Sequence, residues 1–274
     1  MGRSFRFSSY VCGIAGYNLS PDSPVERTLA AQALLAGIAE RGADAVGYAY
    51  RGAGAEVSVH KQRTGASALL DSVDVPAEVT QALVHVRDYT KGHPTIAANN
   101  HPIRHGAVVG IHNGIIVNDD ELFAHHRFER AEPEMTVDSE AIFALVDAFG
   151  ARREALEQLK GAMATAWLDE RRPGLLFLAR GAGRPLWIGE AKHELFFAST
   201  RHALDVVGRT LRLRLRTREL PEGALAIAEN GKVASRSRFR PDASYFEADP
   251  LPSVRAPHEG ASCLALLAAI STAA

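Results

Sequence analysis

Residues 45–62 read AVGYAYRGAGAEVSVHKQ, two alternating runs joined by a glycine-rich tetrapeptide. Successive side chains of a strand point to opposite faces, so this alternation on either side of GAGA predicts an antiparallel hairpin. The same reading predicts strands at CGIAGY (12–17), ALVHVR (82–87), AVVGIHNG (107–114), AMATAWLD (162–169), GLLFLAR (174–180) and LFFAS (195–199). Helices are expected between them. In SPVERTLAAQALLAGIAERG, Ser23 is placed to cap, Pro24 suits the first turn, Glu26 stands where a capping box needs it, and Gly42 closes the segment. Asn118 and Asp138 are expected to cap two further helices, the second ending at Gly150. Paired strands mixed with helices point to a layered α/β or α+β domain with much antiparallel sheet.

A chain of 274 residues, 46% hydrophobic, is long enough to bury a substantial core. Its 31 basic and 32 acidic residues leave a formal net charge of -1 without a long basic run, so nucleic acid is not an expected partner. Two cysteines, Cys12 and Cys263, cannot build a disulfide framework, a thiolate zinc site or an iron–sulfur cluster, and a cytoplasmic location is expected. The basic first residues lack the continuous apolar stretch of a secretory signal. The apolar CLALLAAI (263–270) is too short to span a bilayer and is expected to pack as a terminal helix, after a proline-rich, polar stretch from residue 240. No metal, flavin or nucleotide is implied. The eleven histidines do not fall at metal-ligand spacing, and no glycine-rich phosphate loop stands between strand and helix.

Chemistry-bearing residues gather at strand ends and turns: Cys12 before a small-residue strand, Arg87 in HVRDYTKG, His101 in NNHP, Asn113 and Gly114 in HNGII, and Asp138 in TVDSEAI. Each has a plainer reading. A lone cysteine in an apolar strand is more often a core thiol than a nucleophile, Arg87 could be a surface ion pair, Asn-Gly an ordinary turn, His101 a satisfied loop histidine and Asp138 a simple helix cap.

Taken in order, CGIAGY, ERGADAVGYA, HVRDYTKG, NNHPI, GIHNGIIVNDDEL and TVDSEAI resemble the class II glutamine amidotransferase domain, the N-terminal-nucleophile glutaminase of glucosamine-6-phosphate synthase and glutamine phosphoribosylpyrophosphate amidotransferase. The likeness continues more loosely to about residue 230. It implies an α+β, four-layer αββα N-terminal-nucleophile hydrolase fold with two stacked, mainly antiparallel sheets. It implies a propeptide over 1–11, the amidotransferase domain over 12–240 and a C-terminal tail over 241–274. Cys12 would be the nucleophile, its α-amine, freed by removal of residues 1–11, the general base. An α-amine with a pKa of about 8 can exchange protons near neutrality, whereas a peptide nitrogen cannot. Asn113 and Gly114 would hold the oxyanion, Arg87 the α-carboxylate of L-glutamine and Asp138 its α-ammonium. Thr90 matches a binding threonine on a loop kept open by Gly92, His101 a histidine near the pocket mouth, and Arg41 an arginine beside the nucleophile, its turn supported by Asp44.

Two positions depart from the family pattern. Asp88 stands where many relatives have Trp, and Lys91 where they often have His, both on the loop that closes over glutamine. Few residues follow 240, so the implied ammonia acceptor is a separate synthase or absent. Two alternatives stand beside glutamine hydrolysis: cleavage of a γ-glutamyl or other amide on the same fold, and a catalytically silent regulatory subunit that keeps its leader.

Overall fold

A computed structural model of the chain describes residues 12–52, 54–242, 244–245 and 254–273; the expected propeptide lies outside them. The first half contains β1 (Gly13–Leu19), α1 (Arg27–Ile38), β2 (Ala45–Arg51), β3 (Val57–Gln62), β4 (Gln81–Arg87), β5 (Ile103–His105) and β6 (Val108–Ile116). Three helices follow, α2 (Asp119–His126), α3 (Glu140–Phe149) and α4 (Arg153–Leu156). The remainder contains β7 (Gly161–Asp169), β8 (Leu176–Arg180), β9 (Trp187–Glu190), β10 (Glu194–Ala198), α5 (Arg201–Thr210), β11 (Arg216–Glu219), β12 (Ala224–Glu229), β13 (Lys232–Arg238) and α6 (Pro257–Ala273).

The strands form a seven-stranded sheet in the order β11-β9-β10-β1-β4-β2-β3 and a six-stranded sheet in the order β13-β12-β8-β7-β6-β5. Every ladder between these strands is antiparallel, including the β2–β3 hairpin of the GAGA segment, with Val46 opposite Gln62.

Strand alternation sorts the apolar residues into three layers. Leu83 and Phe197 face the space between the sheets, with Ile14, Ile111 and Leu178, while their neighbours Val84 and Phe196 face outward onto Leu34 and Leu35 of α1 and Leu204 of α5. On the second sheet, Trp167 and Phe177 stack at 5.3 Å and pack outward with Phe143 and Leu145 of α3, while Ala164, Ala166 and Leu168 face inward. Because the central strands are covered on both faces, they read as nearly continuous apolar runs. The result is the expected four-layer αββα arrangement. Alanines in the middle layer let the sheets approach.

Local capping differs from expectation. Glu26, not Ser23, caps α1, its carboxylate accepting from the amides of Thr28 and Leu29; Ser23 Oγ instead donates to buried Glu194 at 2.6 Å. Asn118 spends its side chain on the Gln158 carbonyl and the Lys160 amide. Asp138 does not cap α3, because its carboxylate is taken by β6. Helix α6 packs on the body through Cys263 and Leu267, as the apolar terminal segment predicted. Among the described residues, no helix is long and apolar enough to cross a membrane.

Candidate active site

The β1–β4 register builds the first part of the site. Gly13 lies opposite Val86, so the start of β1 meets the end of β4 and Cys12 comes beside Arg87 and Asp88. The thiol donates to the Asp88 carbonyl at 3.4 Å, and Arg41 Nε donates to the Cys12 carbonyl at 3.0 Å. Burial outweighs the nearby Arg87 charge and pushes the thiol up to about 11. The resting group is therefore a protonated thiol, which needs a base in contact with it to become a nucleophile. Arg41, also desolvated, is lowered to about 10.

Arg87 is buried, not a surface ion-pairing residue. Nη1 donates to Asn100 Oδ1 at 2.6 Å, while Nη2 donates to the Lys91 carbonyl at 2.9 Å and to the Gly92 carbonyl. The loop carrying half-buried Thr90 thus wraps the guanidinium. Gly92 closes that loop with φ +78°, a left-handed conformation available to glycine. Asp44 supports the same corner: its amide donates to the Arg87 carbonyl at 3.0 Å and its carboxylate accepts from the Tyr89 amide at 2.9 Å.

The second sheet contributes β6 and the segment before α3. Asn113 and Gly114 are not a turn; they sit inside β6, opposite Ala164 and Met163. Gly114 has φ +143°, and a Cβ there would lie 2.0 Å from the Ala162 carbonyl oxygen, so no other residue fits. Asn113 is fully buried, yet neither its Oδ1 nor its Nδ2 has a hydrogen-bond partner among the described residues. Asp138 Oδ2 accepts from the Ile116 amide at 2.7 Å, and burial raises this carboxyl to about 6. The Asp138 carboxylate acts electrostatically on Arg87, which stands beside Cys12 through the β1–β4 register.

His101 is buried, in a cis peptide with Pro102, and stacks on His85 at 4.2 Å. Its ring nitrogens have no partner among the described residues, so it is not a hydrogen-bonded loop histidine. His85 in turn reaches the His112 carbonyl at 3.2 Å, joining β4 to β6 across the sheets. Burial holds His85 and His112 near 3 and His101 well below its ordinary value, so this trio is uncharged at neutral pH.

The two departures have ionic partners. Lys91 Nζ pairs with Asp119 at 2.6 Å and Asp120 at 3.1 Å, and Asp88 pairs with Arg255 at 3.1 Å. Sequence reasoning passed over Asn99, Asn100 and His85. The polar doublet before His101 and the HVRDYTKG motif were their visible signals. No group of three or more His, Cys, Asp or Glu among the described residues could hold a metal ion.

Residues 90–206 match the profile of a family described as a glutamine amidotransferase domain. The glutamine–fructose-6-phosphate aminotransferase (isomerizing) of Gluconobacter oxydans is 33% identical over 218 residues, covering 73% of this chain and 33% of that protein. The chain thus spans about a third of that relative's length. The glutamine phosphoribosylpyrophosphate amidotransferase of B. subtilis superposes with a TM-score of 0.64 at 22% identity, over 87% of this chain and 53% of that one. A glutamine aminotransferase class-II domain protein from Silicibacter pomeroyi gives 0.54 at 18% identity, over 84% of this chain and 100% of that one.

Proposed function

Because this chain contains a class II glutamine amidotransferase domain of the N-terminal-nucleophile type, we propose that it hydrolyses the side-chain amide of L-glutamine through a γ-glutamyl thioester on Cys12. Arg87 binds the α-carboxylate and Asp138 the α-ammonium, which selects a free amino acid over a peptide. The Cys12 thiolate attacks the amide carbon, and the oxygen takes up negative charge facing Asn113 Nδ2 and the Gly114 amide. The C–N bond then breaks, ammonia leaves with the proton taken from the thiol, and water hydrolyses the thioester to glutamate. The base is the Cys12 α-amine, freed by loss of residues 1–11. Thr90, His101 and Arg41 complete the pocket around substrate and nucleophile.

The observation that carries this reading is the buried, unpartnered Asn113 amide on β6, the strand whose Ile116 amide holds the Asp138 carboxylate. Leaving such an amide unpaired costs about 1–3 kcal/mol, a cost that a substrate oxyanion would recover. The ammonia is delivered to a separate synthase, and both free cysteines suit a reducing cytoplasm.

The test is parallel assay of glutamate and ammonia release from L-glutamine by the protein and by Cys12→Ala. Activity confined to the intact cysteine supports the proposal; equal activity overturns it. The high thiol pKa favours one second reading, a silent subunit with Cys12 held as a blocked thiol. An intact mass showing residues 1–11 retained on native protein would support that reading.

A further inference from the structure

Adjacent asparagines hold opposite halves of the amino-acid recognition site. Asn100 Oδ1 accepts from Arg87 Nη1 at 2.6 Å, and its Nδ2 donates to the Pro94 carbonyl at 2.8 Å, so the amide is fixed at both ends. Asn99 turns the other way. Its Oδ1 accepts from the backbone amides of Thr136 at 2.7 Å and Val137 at 3.0 Å, the two residues leading into Asp138. Its Nδ2 donates to Thr136 Oγ1 and to the His93 carbonyl, each at 3.3 Å. Asn99 is fully buried and Asn100 nearly so. Gly92 lies between the two halves: a Cβ there would be 2.9 Å from Asn99 Cγ and 3.0 Å from the Val137 amide nitrogen.

We propose that Asn99 and Asn100 are positioning residues that set the separation of Arg87 and Asp138, and thereby the fit to a free α-amino acid. The inference rests on the glutamine reading above. The doublet lies in a single 3₁₀ turn, so one rigid backbone step joins the cation to the segment carrying the anion. Buried amides with both ends bonded lose little freedom on binding and place their partners within a narrow range. If either bond is lost, one charge moves relative to the other while the thiol stays where β1 and β4 hold it. Substrate recognition should therefore suffer before chemistry does.

The test compares L-glutamine with two analogues, its α-carboxamide, lacking the carboxylate, and 4-carbamoylbutanoate, lacking the ammonium. Asn100→Ala should raise KM for L-glutamine about tenfold with kcat within about twofold, and narrow the preference over the α-carboxamide specifically. Asn99→Ala should narrow the preference over 4-carbamoylbutanoate. Because burying two unpaired amides can unfold that variant, Asn99→Asp, which keeps an acceptor for both while giving up the two Nδ2 bonds, should recover part of the wild-type preference that Asn99→Ala loses. Equal loss against both analogues, or unchanged KM in folded variants, overturns the inference. If the protein releases no glutamate at all, the glutamine reading fails by itself. Thermal stabilisation by L-glutamate then carries the test: a smaller shift in Asn100→Ala supports the positioning role, and an equal shift rejects it.

Discussion

Arg255 Nε donates to the Asp88 carboxylate at 3.1 Å, and the carbonyl of that same Asp88 accepts from the Cys12 thiol at 3.4 Å. The amides of Arg255 and Ala256 both donate at 2.8 Å to the Glu40 carbonyl, one residue before the Arg41 that bonds Cys12. Glu259 fixes the start of α6 by accepting from the Ser67 amide at 2.8 Å and its hydroxyl at 3.0 Å. A segment far from Cys12 in sequence thus braces both backbones that touch it. It also gives the Asp88 departure a charge partner.

The Asp88–Arg255 pair is half-buried, and a double-mutant cycle on Asp88→Ala and Arg255→Ala should give a coupling of about 0.5–1 kcal/mol in urea unfolding. Raising the salt concentration should shrink it. Strictly additive losses would show that the contact contributes nothing beyond the two side chains.

Neighbouring residues on β6 should respond in opposite ways. Asn113→Ala removes no protein hydrogen bond among the described residues and relieves the cost of an unpaired buried amide, so the unfolding midpoint should hold or rise while kcat falls about 10²–10³-fold. Gly114→Ala forces a side chain against the Ala162 carbonyl at a left-handed φ, and should cost roughly 2 kcal/mol or more in stability. Denaturation curves read beside steady-state rates separate the two.

Asp138 gives a pH dependence with a definite sign. Burial raises its carboxyl from 3.8 to about 6, so the native state disfavours the charged form. Its contribution to stability is greatest below about pH 4 and is lost as pH rises through about 6. Asp138→Asn should therefore gain stability relative to the parent protein over that interval. Binding runs the other way, because only the carboxylate attracts the substrate ammonium. KM for glutamine should climb as pH falls through about 6, and the acid limb should vanish in Asp138→Asn.

The runs at 82–87, 107–114 and 162–169 were legible because the central strands bury both faces, which leaves apolar runs bounded by turns, and the hairpin at 45–62 because its half-exposed second strand alternates after a glycine-rich connection. Strands β5, β11, β12 and β13 were not: Lys232–Arg238 is mostly exposed and lacks a clear apolar period, and Ile103–His105 is only three residues long. Helix α5 also went unread, although Thr200 caps it by accepting from the Ala203 amide at 3.2 Å. At the candidate site, Cys12, Arg87, Asn113 and Asp138 were picked out as members of ordered motifs. The residues that hold them were not, because Asn100 and Asn99 act through contacts 13 and 37–38 residues away in sequence. Such partners become visible only once the turn is folded.

The N-terminal-nucleophile role of Cys12 is the core of the proposed function. It is tested most directly by acid-quenching the protein during turnover of L-glutamine and mapping the adduct by mass spectrometry. The account predicts a glutamyl group on a peptide that begins at Cys12 and is absent from Cys12→Ala. Glutamate release with no adduct on Cys12, or with the adduct on another residue, would contradict it.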